Sequence, residues 1–308
     1  MRRCVIWGAG DAYEAVINQI KFEELKGNLC CVAVLSKSMA RFIKKRDGYD
    51  VIGKEELNTV EFDYLIIAAN DAYEEILTEA VAMGISREKI ISSKTLGIPN
   101  FDFNRYASLR ENPVTILSDD CWGGYVYHML DLPFTSPLIN INWPRDSFCR
   151  FIQDPFYYLD QPLRMEQEAD PRKNLTPICR LGDGEKSVRL DMVHASTFQK
   201  AEKLWHKRKE RINRNRVFIK FGFDGTDPQS WEYLNVFDQL PYPKICIYSG
   251  ETSVKDVIYM KRFEKDWYRG KRIEFGTYKD WFRQEKNFAK TIDVLKLLNG
   301  ERDYIREK

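Results

Sequence analysis

The chain has 308 residues, of which 44% are apolar and 13% aromatic, so it can bury a large core and form two domains. Its formal net charge is only +2, which excludes the strongly basic balance of a dedicated nucleic-acid-binding protein. Its longest apolar runs are far shorter than the ~20 residues that cross a bilayer, which predicts a cytoplasmic protein without a membrane span.

The first predicted unit is a strand, a glycine turn and a helix at the N-terminus. Residues 3–7 form a short, largely apolar run, Gly8 and Gly10 follow it, and a helical pattern then ends at Gly27. Glycines at these positions allow a tight turn, in which backbone N–H groups at a helix N-terminus approach a phosphate. We therefore predict that Gly8, Gly10 and Asp11 bind a cofactor.

Two positions depart from the dinucleotide-binding fingerprint. Tyr13 stands where the third glycine belongs, and the second predicted strand is followed by Ser36, Lys37 and Ser38 in place of an acid that would hold a ribose. Two interpretations stay open: a nucleotide or nucleotide-sugar site, and a scaffold that keeps the fold without the ligand. The same departures disfavour a nicotinamide-dependent oxidoreductase.

Strand and helix patterns alternate through the rest of this segment, which predicts a parallel sheet with crossover helices. The runs W-G-A-G-D, G-Y-D-V-I-G-K-E-E-L and D-Y-L-I-I-A-A-N-D-A-Y-E-E-I resemble the Rossmann-like domain at the N-termini of sugar acyltransferases. The resemblance implies a nucleotide-binding type of fold for residues 1–110. Turn residues between Leu96 and Pro113 predict the linker to a second α/β domain over residues 111–308.

An apolar run that stops in two acids, a thiol and two glycines marks the second domain. Val114 to Ser118 are typical of a buried strand, and the polar residues after it predict a tight turn into a helix, where α/β proteins bind ligands. Paired carboxylates bind divalent metals or exchange protons, and a thiol near a helix N-terminus becomes nucleophilic. We predict that Asp119, Asp120 and Cys121 are catalytic. The predicted substrate-binding residues around them are Ser118, Trp122, Gly123, Gly124 and Tyr127.

A structural interpretation of this turn stays open beside the catalytic one. Asp119 or Asp120 can cap the following helix, Cys121 can be a small core residue, and the two glycines can serve the turn alone. The seven cysteines are scattered and contain no C-x-x-C, so the sequence predicts neither a disulfide framework nor a zinc site. The identity of the cofactor stays open. A nucleotide sugar with a divalent metal is one combination that paired carboxylates can bind.

A basic amphipathic helix is predicted after Ser196 and Thr197. Arg208 falls on its apolar face beside Trp205, and Arg211 is adjacent. An arginine directed at a packed face needs an anionic partner, because an unpaired buried charge is costly. That partner is either a ligand such as a sugar diphosphate or, the more common arrangement, an internal carboxylate: Asp119, Asp120, Asp146 or Asp191. Of the three histidines only His194, at a predicted strand end, is placed for a function, and a structural role is the more common one there.

The second domain resembles a known family. The runs I-L-S-D-D-C-W-G-G-Y-V-Y-H-M-L-D and D-S-F-C-R-F-I-Q-D-P-F-Y-Y-L-D, with W-x-x-R-x-x-R-I-N over residues 205–213, resemble an uncharacterised bacterial domain family labelled as exopolysaccharide biosynthesis proteins. The resemblance implies a transferase of surface polysaccharide or glycoconjugate biosynthesis that uses an activated sugar, with Arg208, Arg211 and Asn213 binding substrate. The alternative is a non-catalytic nucleotide- or sugar-binding scaffold of such a pathway. Under both alternatives the chain binds a small-molecule nucleotide or sugar. Whether it forms oligomers stays open.

Overall fold

The computed structural model describes residues 1–173, 175–259 and 292–305, and these residues divide into two compact units. The first unit comprises residues 1–111 together with 292–305, and the second begins at Asn112. We expected residues 292–305 in the second domain, whereas they pack with the first unit. Arg105 pairs with Glu301 at 2.6 Å, and Asn299 Nδ2 donates to the Arg105 carbonyl at 3.1 Å.

The described part of the first unit is built on a six-stranded sheet with the strand order β3-β4-β2-β1-β5-β6. All neighbouring strands are parallel except the pair β3 and β4, which confirms the predicted parallel sheet with crossover helices. Its elements are β1 (Arg2–Trp7), α1 (Asp11–Glu14), α2 (Ile17–Leu25), β2 (Leu29–Leu35), β3 (Lys45–Arg46), β4 (Tyr49–Ile52), β5 (Tyr64–Ile67), α3 (Tyr73–Ala82), β6 (Ile90–Ser92), α4 (Ser93–Leu96) and α5 (Phe103–Glu111), with 3₁₀ helices at Met39–Arg41, Lys54–Thr59 and Arg87–Lys89.

The described part of the second unit contains two sheets. One is four-stranded and parallel with the order β13-β12-β11-β7, and the other is three-stranded and antiparallel with the order β10-β9-β8. Its elements are β7 (Thr115–Ser118), α6 (Trp122–Met129), α7 (Arg145–Gln153), α8 (Pro155–Asp160), β8 (Arg164–Gln167), β9 (Ile178–Leu181), β10 (Val188–Asp191), α9 (Phe198–Lys209), β11 (Val217–Phe223), α10 (Ser230–Gln239), β12 (Lys244–Tyr248) and β13 (Val257–Tyr259), with 3₁₀ helices at Pro171–Lys173 and Gly184–Lys186. The remaining described helix, α11 (Val294–Leu298), belongs to the first unit.

Aromatic packing holds the parallel sheet of the second unit to its helices. Phe221 of β11 lies 5.2 Å from Phe148 of α7 and 6.0 Å from Tyr233 of α10, between ring centroids. Burying an aromatic side chain of this size contributes about 1.5–3 kcal/mol to the free energy of unfolding. Because all seven residues of β11 are buried, this strand is fixed from both faces. It provides a rigid base for the loops at the carboxyl edge of the sheet.

Helix α9 begins where the sequence predicts it. The Thr197 side chain accepts a hydrogen bond from Lys200 N at 3.3 Å, which satisfies one N–H group of the first turn. Ala201 and Trp205 are its buried residues, and Arg208 follows one turn later on the same side. None of the helices in the described ranges combines the length and the apolar character needed to cross a membrane.

Candidate functional site

The carboxylates of Asp119 and Asp120 share one buried lysine. Lys220 Nζ lies 2.8 Å from Asp119 Oδ1 and 2.8 Å from Asp120 Oδ2. Lys220 is fully buried in β11, and the parallel register places it opposite Ser118 at the end of β7. Lys220 was not among the predicted site residues, although a charged residue inside the apolar run V-F-I-K-F is a signal, because such a charge must find a partner.

Protein donors also occupy the other oxygens of the two carboxylates. Asp119 Oδ2 accepts from Gly222 N at 3.1 Å. Asp120 Oδ1 accepts from Ser118 Oγ at 3.1 Å and from Trp122 N at 2.9 Å. The turn between β7 and α6 is therefore held by its own acids, whereas the N-cap residue of α6 is Cys121, which makes no side-chain capping bond.

Burial and the attraction between Lys220 and the acids shift the pKa values of this cluster in opposite directions. Burial raises the pKa of Asp119 to about 7, although the Lys220 ammonium opposes that change and the Asp120 carboxylate adds to it. Burial by itself would lower the pKa of Lys220, but the two carboxylates outweigh burial, and its pKa is raised. Lys220 consequently stays charged near neutral pH and compensates the acids next to it.

The carboxylates of Asp119 and Asp120, as they are bonded here, do not fit the divalent metal that paired acids suggest from sequence. The Lys220 ammonium bonds to both carboxylates, in the position where a shared cation would bind. Within the described residues, no group of three His, Cys, Asp or Glu side chains is arranged to hold a metal ion.

Cys121 lies beside a histidine. Its Sγ is 3.9 Å from Nε2 of His194, which comes from the segment after β10. Cys121 is half-buried and immediately precedes α6, whereas His194 is exposed. A thiol and an imidazole thus come together although 73 positions separate them in sequence.

His194 also borders a pocket on the second unit, which encloses about 330 Å³ of space, part of it open to solvent. Apolar side chains form most of its wall, and the polar contributors are His194, Asn140 and Arg208. The residues around it are Pro137, Ile139, Asn140, Ile141, Met192, His194, Ala195, Ala201, Leu204, Trp205 and Arg208. His194 therefore lies both beside Cys121 and in the pocket wall that includes Arg208 of α9.

Arg208 does not make the internal ion pair that we expected. Its Nη1 donates to the Ile139 carbonyl at 2.7 Å, and among the described residues no carboxylate lies within ion-pair distance of it. Three of the four candidate partners are engaged elsewhere: Asp119 and Asp120 with Lys220, and Asp191 with Arg189 at 3.1 Å. Burial lowers the pKa of Arg208, and the nearby Arg211 charge lowers it further. The guanidinium is thus partly desolvated without a compensating anion in the described structure.

Several predicted substrate-binding residues make internal contacts. Trp122 is buried and stacks on Phe218 with ring centroids 6.0 Å apart. The buried Tyr127 hydroxyl accepts from Ile116 N at 2.8 Å and lies 2.8 Å from the Val114 carbonyl. The two glycines pack closely against isoleucines, since a Cβ would lie 3.1 Å from Ile116 at Gly123 and 3.5 Å from Ile139 at Gly124. These contacts give Trp122 and Tyr127 structural roles.

Asn213 lies at the other end of β7. Its backbone N–H donates to Thr115 Oγ1 at 2.8 Å, and its Nδ2 donates to the Pro113 carbonyl at 2.8 Å. Because a strand rises about 3.3 Å per residue, the nearer of these contacts, at Thr115, is about 13 Å along β7 from Asp119. These hydrogen bonds fix the entry of β7, and substrate binding by Asn213 stays a prediction.

The glycine turn of the first unit is shaped by its own packing. Gly8 has φ +123°, and a Cβ there would lie 2.2 Å from the Ala68 carbonyl oxygen, so the close approach of β1 to β5 requires glycine. Arg46 donates to the Ala9 carbonyl and lies 4.5 Å from the centroid of the Tyr13 ring. Helix α1 after Gly10 has four residues, beginning at Asp11. Cofactor binding at Gly8, Gly10 and Asp11 stays a prediction.

Comparison with known proteins finds a family for each part of the chain. The family described as "Domain of unknown function (DUF1919)" matches residues 92–299, and the family described as "C2185-like, N-terminal" matches residues 1–91. A Haemophilus influenzae protein described as uncharacterized is 28% identical over 193 residues, which cover 62% of this chain and 86% of that protein. These matches carry no term for a polysaccharide, a nucleotide sugar or an acyl group.

Proposed function

We propose that this chain, which belongs to the DUF1919 family, is a transferase of surface polysaccharide or glycoconjugate biosynthesis that binds an activated sugar through its phosphate groups. Arg208 is the observation that carries the proposal, because this half-buried cation borders a pocket and has no carboxylate partner in the described structure. The polysaccharide context rests on the sequence resemblance around Ser118 to Gly124 and residues 205–213.

Arg208 supports an anionic ligand on electrostatic grounds. A desolvated charge is costly unless an opposite charge compensates it, and a guanidinium cannot lose its proton in a protein. Its one described hydrogen bond goes to the Ile139 carbonyl. The other N–H donors of the planar guanidinium group can therefore bind phosphate oxygens. Arg211, exposed on the next turn, adds a second positive charge close to Arg208.

The other walls of the pocket support a ligand that also carries a ring or base. Ile139, Ile141 and Met192 provide apolar surface. Trp205 borders the same pocket, and its buried Nε1–H has no acceptor among the described residues. Trp143, which does not border the pocket, shares this feature, so the feature does not by itself indicate a ligand. A nucleoside diphosphate sugar combines all of these groups.

The acids have a positioning role in this proposal. Asp119 and Asp120 are committed to Lys220 and to donors of the turn, and they hold Cys121 at the start of α6. The exposed imidazole of His194, on the pocket border, is the group that can take a proton from an acceptor hydroxyl.

Calorimetric titration of the full chain with a panel of nucleoside diphosphate sugars tests the proposal. We expect Arg208→Gln to weaken binding at least about tenfold, because charge-assisted hydrogen bonds contribute about 1.5–3 kcal/mol. Lys207→Gln is the matched control, since Lys207 is exposed on the same helix and lies outside the pocket wall. The proposal fails if no nucleotide sugar binds, or if Arg208→Gln binds as tightly as the wild type.

A second candidate function is a non-catalytic nucleotide- or sugar-binding module of such a pathway. It is favoured because the carboxylates of Asp119 and Asp120 are both bonded to Lys220. Incubating the protein with a labelled donor and candidate acceptors separates the two functions. Labelled product supports the transferase. Saturable binding that depends on Arg208, without product, supports the module.

A further inference from the structure

Cys121 and His194 form a thiol–imidazole pair next to the pocket. The Sγ to Nε2 distance of 3.9 Å lies within hydrogen-bonding range for sulfur, and His194 borders the pocket while Cys121 is half-buried beside it. The thiolate is the reactive form of cysteine, and a neighbouring histidine is a base that generates it. We infer that Cys121 is a nucleophile with His194 as its base, and that the group it carries is an acyl group.

The charges around Cys121 oppose a thiolate less than the adjacent Asp119 and Asp120 alone would suggest. Two adjacent carboxylates would oppose a thiolate, but Lys220 Nζ lies 2.8 Å from an oxygen of each and compensates one of their charges. Helix α6 starts immediately after Cys121, so this residue lies at the positive end of the helix dipole. Lys220 therefore reduces the repulsion that a thiolate at Cys121 would meet, and the start of the helix adds a favourable dipole.

Cysteines elsewhere in the second unit provide the contrast. Cys149 and Cys179 are buried, and burial raises the pKa of each to about 12. Cys246, in β12, is likewise buried, and burial raises its pKa. Such thiols are unreactive near neutral pH. Cys121 is the half-buried cysteine of the second unit and the one next to an imidazole.

The first turn of α6 suits the oxyanion that acyl transfer forms. Gly123 and Gly124 follow Cys121 in this turn, where backbone N–H groups have no acceptor within the helix. Donors of this kind stabilise the negative oxygen of a tetrahedral intermediate. Their position directly after the sulfur corresponds to the strand, turn and helix order in which a nucleophile and its oxyanion donors commonly occur together.

The reaction follows from these groups. His194 takes the thiol proton, Cys121 Sγ attacks the carbonyl carbon of an acyl thioester, and the donor thiolate leaves with the proton from His194. A sugar hydroxyl then gives its proton to His194 and attacks the acyl carbon, which forms a C–O bond and breaks the C–S bond. The released Cys121 thiolate takes that proton back from His194, which regenerates the thiol. The inference rests on the proposed function only for the sugar, which in this reaction is the acyl acceptor and not the donor.

Acetylation of the full chain by p-nitrophenyl acetate tests the nucleophile directly. We expect a burst of nitrophenolate and one acetyl group per chain, located at Cys121 by peptide mass spectrometry. Cys121→Ser removes the burst, and His194→Gln slows it at least about tenfold, since an ordinary thiol is only a few per cent thiolate at pH 7. His206→Gln, at an exposed histidine of α9, leaves the burst unchanged.

A measurement on the wild type keeps the test independent of variant folding. Alkylation of Cys121 by iodoacetamide should show an inflection well below the pH of about 8.5 that an unactivated thiol gives. An ordinary thiol profile, acetylation at another residue, or an undiminished burst in folded His194→Gln would overturn the inference. Loss of nucleotide-sugar binding alone overturns the proposed function and leaves the nucleophile in place.

Discussion

Lys220, in the interior of β11, donates a hydrogen bond to Asp119, at the end of β7, over 2.8 Å, although the two residues are 101 positions apart. The contact exists because the parallel register sets Lys220 opposite Ser118, one residue before Asp119. Since Lys220 also reaches Asp120, one buried cation fixes the turn that carries Cys121.

Replacing Lys220 by methionine should destabilise the second unit strongly. Removal of the ammonium leaves two carboxylates in a buried site without their cation, which costs about 3–5 kcal/mol of the free energy of unfolding. Urea denaturation measures the loss, with Lys207→Met as the exposed control. Adding Asp119→Asn and Asp120→Asn to Lys220→Met should restore much of it. A loss below about 1 kcal/mol in the single variant would show that the cluster has little energetic weight.

Asp119 should make stability fall as the pH rises. Because its pKa is raised from 3.8 to about 7 in the folded chain, the folded state binds more protons than the unfolded state between these values. The free energy of unfolding then declines over this window, by at most about 1.4 kcal/mol per pH unit from this group. Asp119→Asn should flatten the decline in urea titrations between pH 4 and pH 7. Equal slopes in the wild type and the variant would contradict the raised pKa.

Tyr127→Phe should reduce stability without affecting ligand binding. The change removes the hydroxyl that accepts from Ile116 N and leaves that N–H buried without an acceptor, at a cost of about 1–3 kcal/mol. Tyr157→Phe, at an exposed tyrosine of α8, is the control and should leave stability unchanged. Weakened nucleotide-sugar binding with unchanged stability would restore the substrate-binding role predicted from sequence.

Gly8 and Gly10 should respond differently to alanine. At Gly8 the new Cβ would lie 2.2 Å from the Ala68 carbonyl oxygen, with φ +123°, so Gly8→Ala should cost about 1–3 kcal/mol or more. At Gly10 no atom lies within 4 Å of the added Cβ, and φ is −100°, so Gly10→Ala should change stability by less than about 0.5 kcal/mol. Thermal denaturation compares them, and similar losses in both would contradict a packing role specific to Gly8.

Much of the first unit can be predicted from sequence, because its signals are local. Apolar runs of strand length alternate with helical patterns, and glycines end them, as at Gly27 and Gly84. The strand β8 of the second unit has no such signal. All four of its residues are exposed, so nothing in its hydrophobic pattern distinguishes it from a loop.

The sequence by itself determined the α/β class, the parallel sheet of the first unit, the turn from Ser118 to Gly124 and the start of α9 after Thr197. These features follow from the periodicity and the capping preferences of residues close together in the chain. Tertiary structure alone decided which charges meet. It paired Lys220 with the two acids, placed His194 beside Cys121, and left Arg208 without a carboxylate among the described residues. Such pairings depend on strand register and on the fold bringing together residues that are about 70 to 100 positions apart in sequence. Local sequence patterns do not encode these contacts.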